Sequence, residues 1–416
     1  MLFRSDDAVF SAHNRWYSDK SPYVQKYNFI VEGNNAMPNG SPEFWEEIMK
    51  NAKDRNIVTY EQDWLKTHIS RFTFLRSEIG AAHTWLKNMA DAADKFDLGI
   101  EYCMAPPSLM MQMAEFKCII SARASGDYAP RWPKRYDVPY FMQSSMLVAS
   151  LGVWPFKDTF QSTSRGPING DRCPELMALI SNLSGSIFAP GDEIGMINKD
   201  IIKAASRKDG LLYKPNRPIT AADLTYIKNS TYYICTTEST HGQFLWHYVL
   251  TINLWPFRVK KHSYTLRELG FKGSFIEYDW HLKTCRKVNE NTEISQKLKE
   301  EQYKYRIYSP LFKNGFSILG DPIKYVMMND KEFSNPVYDQ SGISIEINNI
   351  AGECTHLLIY SENLPSSIII DGLGIQESND NDLVDFEPSF NYNAVNHLVR
   401  IKIPFEKDGA KKLSMH

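Results

Sequence analysis

The sequence predicts an α/β protein: a (β/α)8-type TIM barrel, lacking its first strands in this chain, followed by an antiparallel β domain. Three observations predict it. Up to about residue 230, short apolar runs alternate with longer amphipathic stretches, the pattern of βα units on a parallel sheet. Several of these runs end in charged residues, at the strand ends where such a barrel carries its chemistry. After Leu224 the texture changes to short alternating runs separated by turn residues, as in an antiparallel sheet with one solvated face. The division expected from this change is a catalytic barrel over 1–230 and a β-sandwich-like domain over 231–416.

In chain order, the strands expected in the first part are YNFIVEG, NIVTYEQD, LGIEYCMA, KCIISARA, SLGVWPF and SGSIFAP. A complete barrel needs eight, so six legible strands are expected if the chain starts inside the barrel. Between them, Ser41 offers an N-cap to a helix running from Pro42 to Lys53, and an apolar rhythm of helical period predicts a second from Ser77 to Phe96. In the second part TYYICTT, FLWHYVLTINLW, ISIEINN, THLLIYSE, SSIIIDG and HLVRIKIPF read as strands, with a charged segment from Lys297 to Lys304 among them.

Composition narrows the function. Hydrophobic residues make up 43% and charged residues 23%, as in ordinary soluble domains. A net charge of -2 gives no electrostatic footprint for nucleic acid. The longest apolar stretch, Tyr140 to Trp154, is broken by Gln143, Ser144 and Ser145, so no membrane span is expected. The opening MLFRSDDAVFSAHNR lacks the apolar core of a signal peptide, and the compartment is left open. Six scattered cysteines form no CxxC pair and have no histidines at zinc spacing; no metal and no cofactor are expected. Two triplets, Asn182-Leu183-Ser184 and Asn229-Ser230-Thr231, match the glycosylation pattern. The nine tryptophans and 22 tyrosines supply rings that can pack on sugar faces as well as fill a core.

The strand ends concentrate the candidate chemistry. NIVTYEQD runs into Glu61, Gln62, Asp63 and Trp64, and strand alternation points Glu61 and Asp63 to the same side. KCIISARA runs through Arg123 to Asp127. SLGVWPF supplies Trp154 and then Asp158, and SGSIFAP leads to Asp192. Two carboxylates over a barrel mouth are what glycosidic cleavage uses, one ionised as nucleophile and one protonated as acid. Taken singly, a carboxylate at a strand end is more often a helix cap or an ion-pair partner than a catalytic group.

Taken in order, the segments from about residue 45 to 225 resemble the glycoside hydrolase clan of families 27 and 36, the α-galactosidases and raffinose synthase-like enzymes. Cys103-Met104-Ala105 is similar to that clan's Cys-Met-Ser, and Arg123-Ala124-Ser125-Gly126-Asp127-Tyr128 to its Arg-x-Ser-Asp-Asp-Phe, which carries the general acid. The stretch from Pro155 to Ser162 is similar to Pro-Asp-Trp-Asp-Met-Phe-x-Ser, and Ser184 to Gly195 to Gly-Gly-Pro-Ile-Tyr-x-Ser-Asp. The segments Lys208 to Leu212 and Asn216 to Thr220 follow in the same order. An ungapped match of Gly-Val-Asp-Phe-Val-Lys-Val-Asp onto Asn56 to Asp63 implies Asp63 as nucleophile and aligns Asn56 with a turn glycine, a position asparagine tolerates. A two-residue slip makes Glu61 the nucleophile instead.

Three departures stand out: Glu61 in place of the clan's lysine, Gly126 in place of the first aspartate, and Phe156 with Lys157 in place of Asp-Trp. The resemblance implies a retaining glycosidase acting on terminal, α-galactoside-like sugars, with Asp63 and Asp127 catalytic. Glu61, Trp64, Cys103, Arg123, Trp154, Asp158 and Asp192 would then bind the carbohydrate substrate. Two alternatives remain: a transglycosidase of the raffinose synthase type, and a non-catalytic glycan-binding or structural descendant. The sequence does not specify the oligomeric state.

Overall fold

The computed structural model describes residues 2–5, 10–11, 26–32, 35–164, 170–227, 232–256, 259, 261–378 and 387–416. Two compact units are present, one comprising 1–126 and 144–157, the other 127–143 and 158–416.

The first unit is built on a five-stranded parallel sheet whose strands, in spatial order, are Leu2–Ser5, Thr59–Gln62, Gly99–Tyr102, Ile119–Arg123 and Trp154–Phe156. Spatial order follows chain order, as repeated βα units require. The helix Pro42–Asp54 precedes the second strand. It starts as its sequence predicts: the Ser41 hydroxyl accepts from the Phe44 N–H at 3.4 Å, and proline takes the first helical position, where no N–H is needed. The helix expected from Ser77 to Phe96 is two helices, Phe74–Ser77 and Ala81–Lys95. Gly80, at φ 81°, separates them in a left-handed conformation that no continuous helix accommodates.

Helices cover one side of the sheet. Trp45 packs edge-on against Tyr60 of the Thr59–Gln62 strand at 6.5 Å and against Trp85 of Ala81–Lys95 at 5.2 Å. All three rings are buried.

Two expected barrel strands take other roles. Within YNFIVEG only Ile30–Glu32 is a strand, and it pairs antiparallel with Asn35–Met37 in a separate three-stranded sheet. Asn28, at φ 43°, breaks the extended run before it. SGSIFAP forms no strand, only an isolated bridge from Pro190 to Phe160. Ser184 ends the helix Pro174–Leu183, Gly185 has φ 73°, and Pro190 has no N–H to give a ladder. Leu2–Ser5, too short to stand out in the sequence, joins the parallel sheet instead.

The second unit carries the antiparallel ladders expected from the later sequence. A six-stranded sheet runs, in spatial order, Thr284–Asn289, Ser274–Asp279, Tyr303–Pro310, Phe244–Asn253, Tyr232–His241 and Thr220–Ala221. A four-stranded sheet of Ser317–Gly320, Cys354–Tyr360, Leu398–Pro404 and Ser389–Asn393 follows. In a five-stranded sheet, Gly409–Met415 lies between Ile343–Asn349 and Ile368–Ile370. All six runs singled out in this part of the sequence contain strands. No described helix is long and apolar enough to cross a membrane.

Candidate active site

The parallel register of the first unit places polar side chains in rows. Glu61 pairs with Glu101, and Glu101 with Ser121, which pairs in turn with Trp154. Neighbours in a parallel ladder point to the same side, so these four share one face, opposite the helix-facing Tyr60 and Tyr102. One step further along, Asp63, Cys103 and Arg123 form a second row on that face. All are buried except Trp154, which is half-buried.

Glu61, Asp63 and Cys103 converge, each offering a ligand-type atom within 4.8 Å of the others. Burial pushes the Cys103 thiol far above its ordinary range. Its hydrogen bond to Asp63 adds to the rise, and Arg123 opposes it. Cys103 is therefore held as a thiol, a donor to the Asp63 carboxylate. A second donor comes from the backbone: the Trp64 N–H meets Asp63 Oδ1 at 2.7 Å.

That contact depends on the local turn. Trp64 adopts φ 62°, and the helix Leu65–Arg71 begins immediately after it. Its ring is the exposed member of the set, 40% accessible. Before the strand, Asn56 has φ 59°, the left-handed conformation expected of a residue standing at a turn glycine.

Asp127, Asp158 and Asp192 belong to the second unit. The segment carrying Asp127 is anchored through its neighbour: Tyr128 donates its N–H to Asp158 at 2.9 Å and its hydroxyl to Asp171, and accepts from the Gln161 N–H at 3.0 Å. Asp171 in turn pairs with Lys134 at 2.9 Å, both side chains completely buried. Such a pair is costly to break, because either ion left alone would be an uncompensated buried charge. Asp127 itself is exposed. Asp158 sits at φ 69°, and Asp192 accepts from the Ser162 N–H through both oxygens at 3.0 Å.

Of the nine residues singled out in the sequence, the first unit therefore gathers Glu61, Asp63, Cys103 and Arg123, with Trp154 on the same face and Trp64 in the following turn. The second unit holds the remaining three. Sequence reasoning passed over Glu101 and Ser121. The signal was present as a glutamate and a serine within otherwise apolar runs, but only the register shows that they line up with Glu61.

Asn182, in the first glycosylation triplet, is buried and gives its side-chain amide to the Tyr213 carbonyl at 3.0 Å, so it is not available as an acceptor. The second triplet, at Asn229, is not within the described residues.

No family model matches the sequence, and no curated protein matches it. Solved structures do. The chain is similar to a family-27 β-L-arabinopyranosidase from Geobacillus stearothermophilus at 16% identity and a TM-score of 0.50, covering 66% of this chain and 63% of that one. It is similar to a family-31 dextranase from Flavobacterium johnsoniae, solved with glucose, at 11% identity and a TM-score of 0.50, covering 92% of this chain and 56% of that one. The chain thus spans less than two thirds of the length of either. At these identities the likeness is one of fold: a parallel β/α sheet with a β domain, the architecture of glycoside hydrolases.

Proposed function

We propose that this protein is a retaining glycosidase acting on terminal, α-galactoside-like sugars. The observation that carries the reading is the buried polar face at the C-terminal ends of the parallel strands, where two donors orient the Asp63 carboxylate beside Glu61. The left-handed Asn56 supports the ungapped register that selects Asp63 over Glu61.

In the proposed reaction Asp63 attacks the anomeric carbon while Asp127 protonates the departing glycosidic oxygen. Asp127 then takes a proton from the incoming water, whose oxygen displaces Asp63 from the sugar. Arg123 and Glu61 bind sugar hydroxyls, together with Asp158 and Asp192. Cys103 orients the nucleophile, and Trp64 or Trp154 offers a ring to a sugar face. With a sugar hydroxyl in place of water, the same two steps give transglycosylation.

The test is a screen of aryl glycosides, beginning with α-galactosides, on the wild type, Asp63→Asn and Asp127→Asn. Turnover should fall at least about 10³-fold in Asp63→Asn, and in Asp63→Gly azide should restore part of it by attacking from the side that the shortened residue vacates. Equal turnover in all three proteins would remove the assignment, and so would a screen in which the wild type cleaves nothing.

A further inference from the structure

The second unit contains a cavity of about 940 Å³, at the upper end of the ~300–1,000 Å³ typical of small-molecule sites. None of the residues proposed for cleavage lines it. Its walls come from the starts of the helices Pro174–Leu183 and Lys199–Ala205, from Tyr278 and Trp280, and from the Cys354–Tyr360 and Leu398–Pro404 strands. Tyr278, Tyr325, Leu358 and Ile401 give it an apolar floor.

Among the described residues, most of the charged groups lining the cavity are cationic. Lys203, Lys283, Arg400 and Lys402 face Glu175 and Asp200. Glu175 is already engaged, taking the Tyr303 hydroxyl at 2.7 Å and lying 3.5 Å from His281, which holds its carboxyl below the usual range. Asp200 reaches Lys203 only at 4.0 Å, with both side chains exposed. Arg400 has no ion-pair partner among the described residues. The Lys283 ammonium lies 4.0 Å from the centroid of the Trp280 ring and donates to the Pro322 carbonyl at 3.3 Å. Burial lowers its pKa, a strain that an incoming anion would relieve.

We propose that this cavity binds an acidic oligosaccharide, a chain of sugar rings bearing carboxylate or sulfate groups. The acid groups meet Arg400 and Lys283, and the apolar faces of the rings lie on the floor. Arg400 and Lys283, the cations that reach it without a carboxylate in hydrogen-bond range among the described residues, favour a ligand with negative charge. The choice of a sugar over another organic anion rests on the reading of this chain as carbohydrate-active.

Calorimetric titration of the Asp63→Asn protein tests this with four probes: trigalacturonate, a sulfated galactotriose, neutral galactotriose and inorganic sulfate. At least one acidic trisaccharide should bind, and which one does distinguishes carboxylate from sulfate recognition. Its affinity should fall about tenfold in Arg400→Ala and again in Arg400→Ala/Lys283→Ala, and should weaken with added salt. Arg400 is exposed, so its removal leaves the fold intact for the comparison. Equal binding of neutral galactotriose, sulfate binding as tightly as the sulfated sugar, or no binding of either acidic sugar would overturn the proposal. Because this readout is binding in a variant with its nucleophile removed, it stands or falls apart from the aryl glycoside screen.

Discussion

Gly40 shows how much a single position can constrain the first unit. Its φ is 74°, and a Cβ there would lie 2.1 Å from Cδ1 of Trp85, the ring that packs on Trp45. Gly40→Ala therefore combines a strained backbone with an overlap that moves a buried tryptophan, and should destabilise by roughly 2–4 kcal/mol. Chemical denaturation measures this directly; an unchanged midpoint would show that Trp85 yields freely. The site residues differ in how visible they are from sequence. Glu61 and Asp63 stand out because they end an apolar strand, and Asn56 because asparagine tolerates the left-handed region. Glu101 does not stand out, because a lone glutamate in GIEY could face either side of the sheet until its neighbour is known.

At the scale of elements, local signals proved dependable and long-range pairing did not. Ser41 and Pro42 fix a helix start through contacts within four residues, which is why the sequence shows it. Ser41→Ala should lower stability by about 0.5–1 kcal/mol, toward the low end for caps since its hydrogen bond is long. A shift in the thermal midpoint measures the loss; none at all would mean that the Pro42 start alone suffices. The antiparallel strands were legible because alternation records a solvated and a buried face within each strand. Membership of the parallel sheet was not, since it depends on partners tens of residues away: Leu2–Ser5 is recruited by Thr59–Gln62, whereas Ile30–Glu32 pairs with the nearby Asn35–Met37. Left-handed glycines then mark where the helix Ala81–Lys95 starts, at Gly80, and where the chain leaves Pro174–Leu183, at Gly185, and both were in plain view.

For the molecule as a whole, the buried acids of the second unit predict how stability varies with pH. Glu332 is pushed up to about 8, first by burial and then by the nearby Asp321, against the opposing Thr355 and Asn329 hydrogen bonds. Burial likewise raises Asp321 to about 6. Both folded-state values exceed those of the unfolded chain, near 4. Between that point and pH 8 the folded protein retains protons that the unfolded chain has released, so this contribution is complete below about pH 4 and declines as pH rises. The thermal midpoint should fall from pH 5 to pH 8 in the wild type and fall less in Glu332→Gln. Superimposable profiles would show that Glu332 titrates normally.

The position of Gly409–Met415 between Ile343–Asn349 and Ile368–Ile370 matters for how the protein is made. Both flanking strands leave the ribosome before the one that joins them, so each must wait with an open edge until residue 415 has cleared the exit tunnel. During that interval the nascent chain exposes ladders able to capture another copy of themselves, and a chain cut before Gly409 would leave that sheet without its middle.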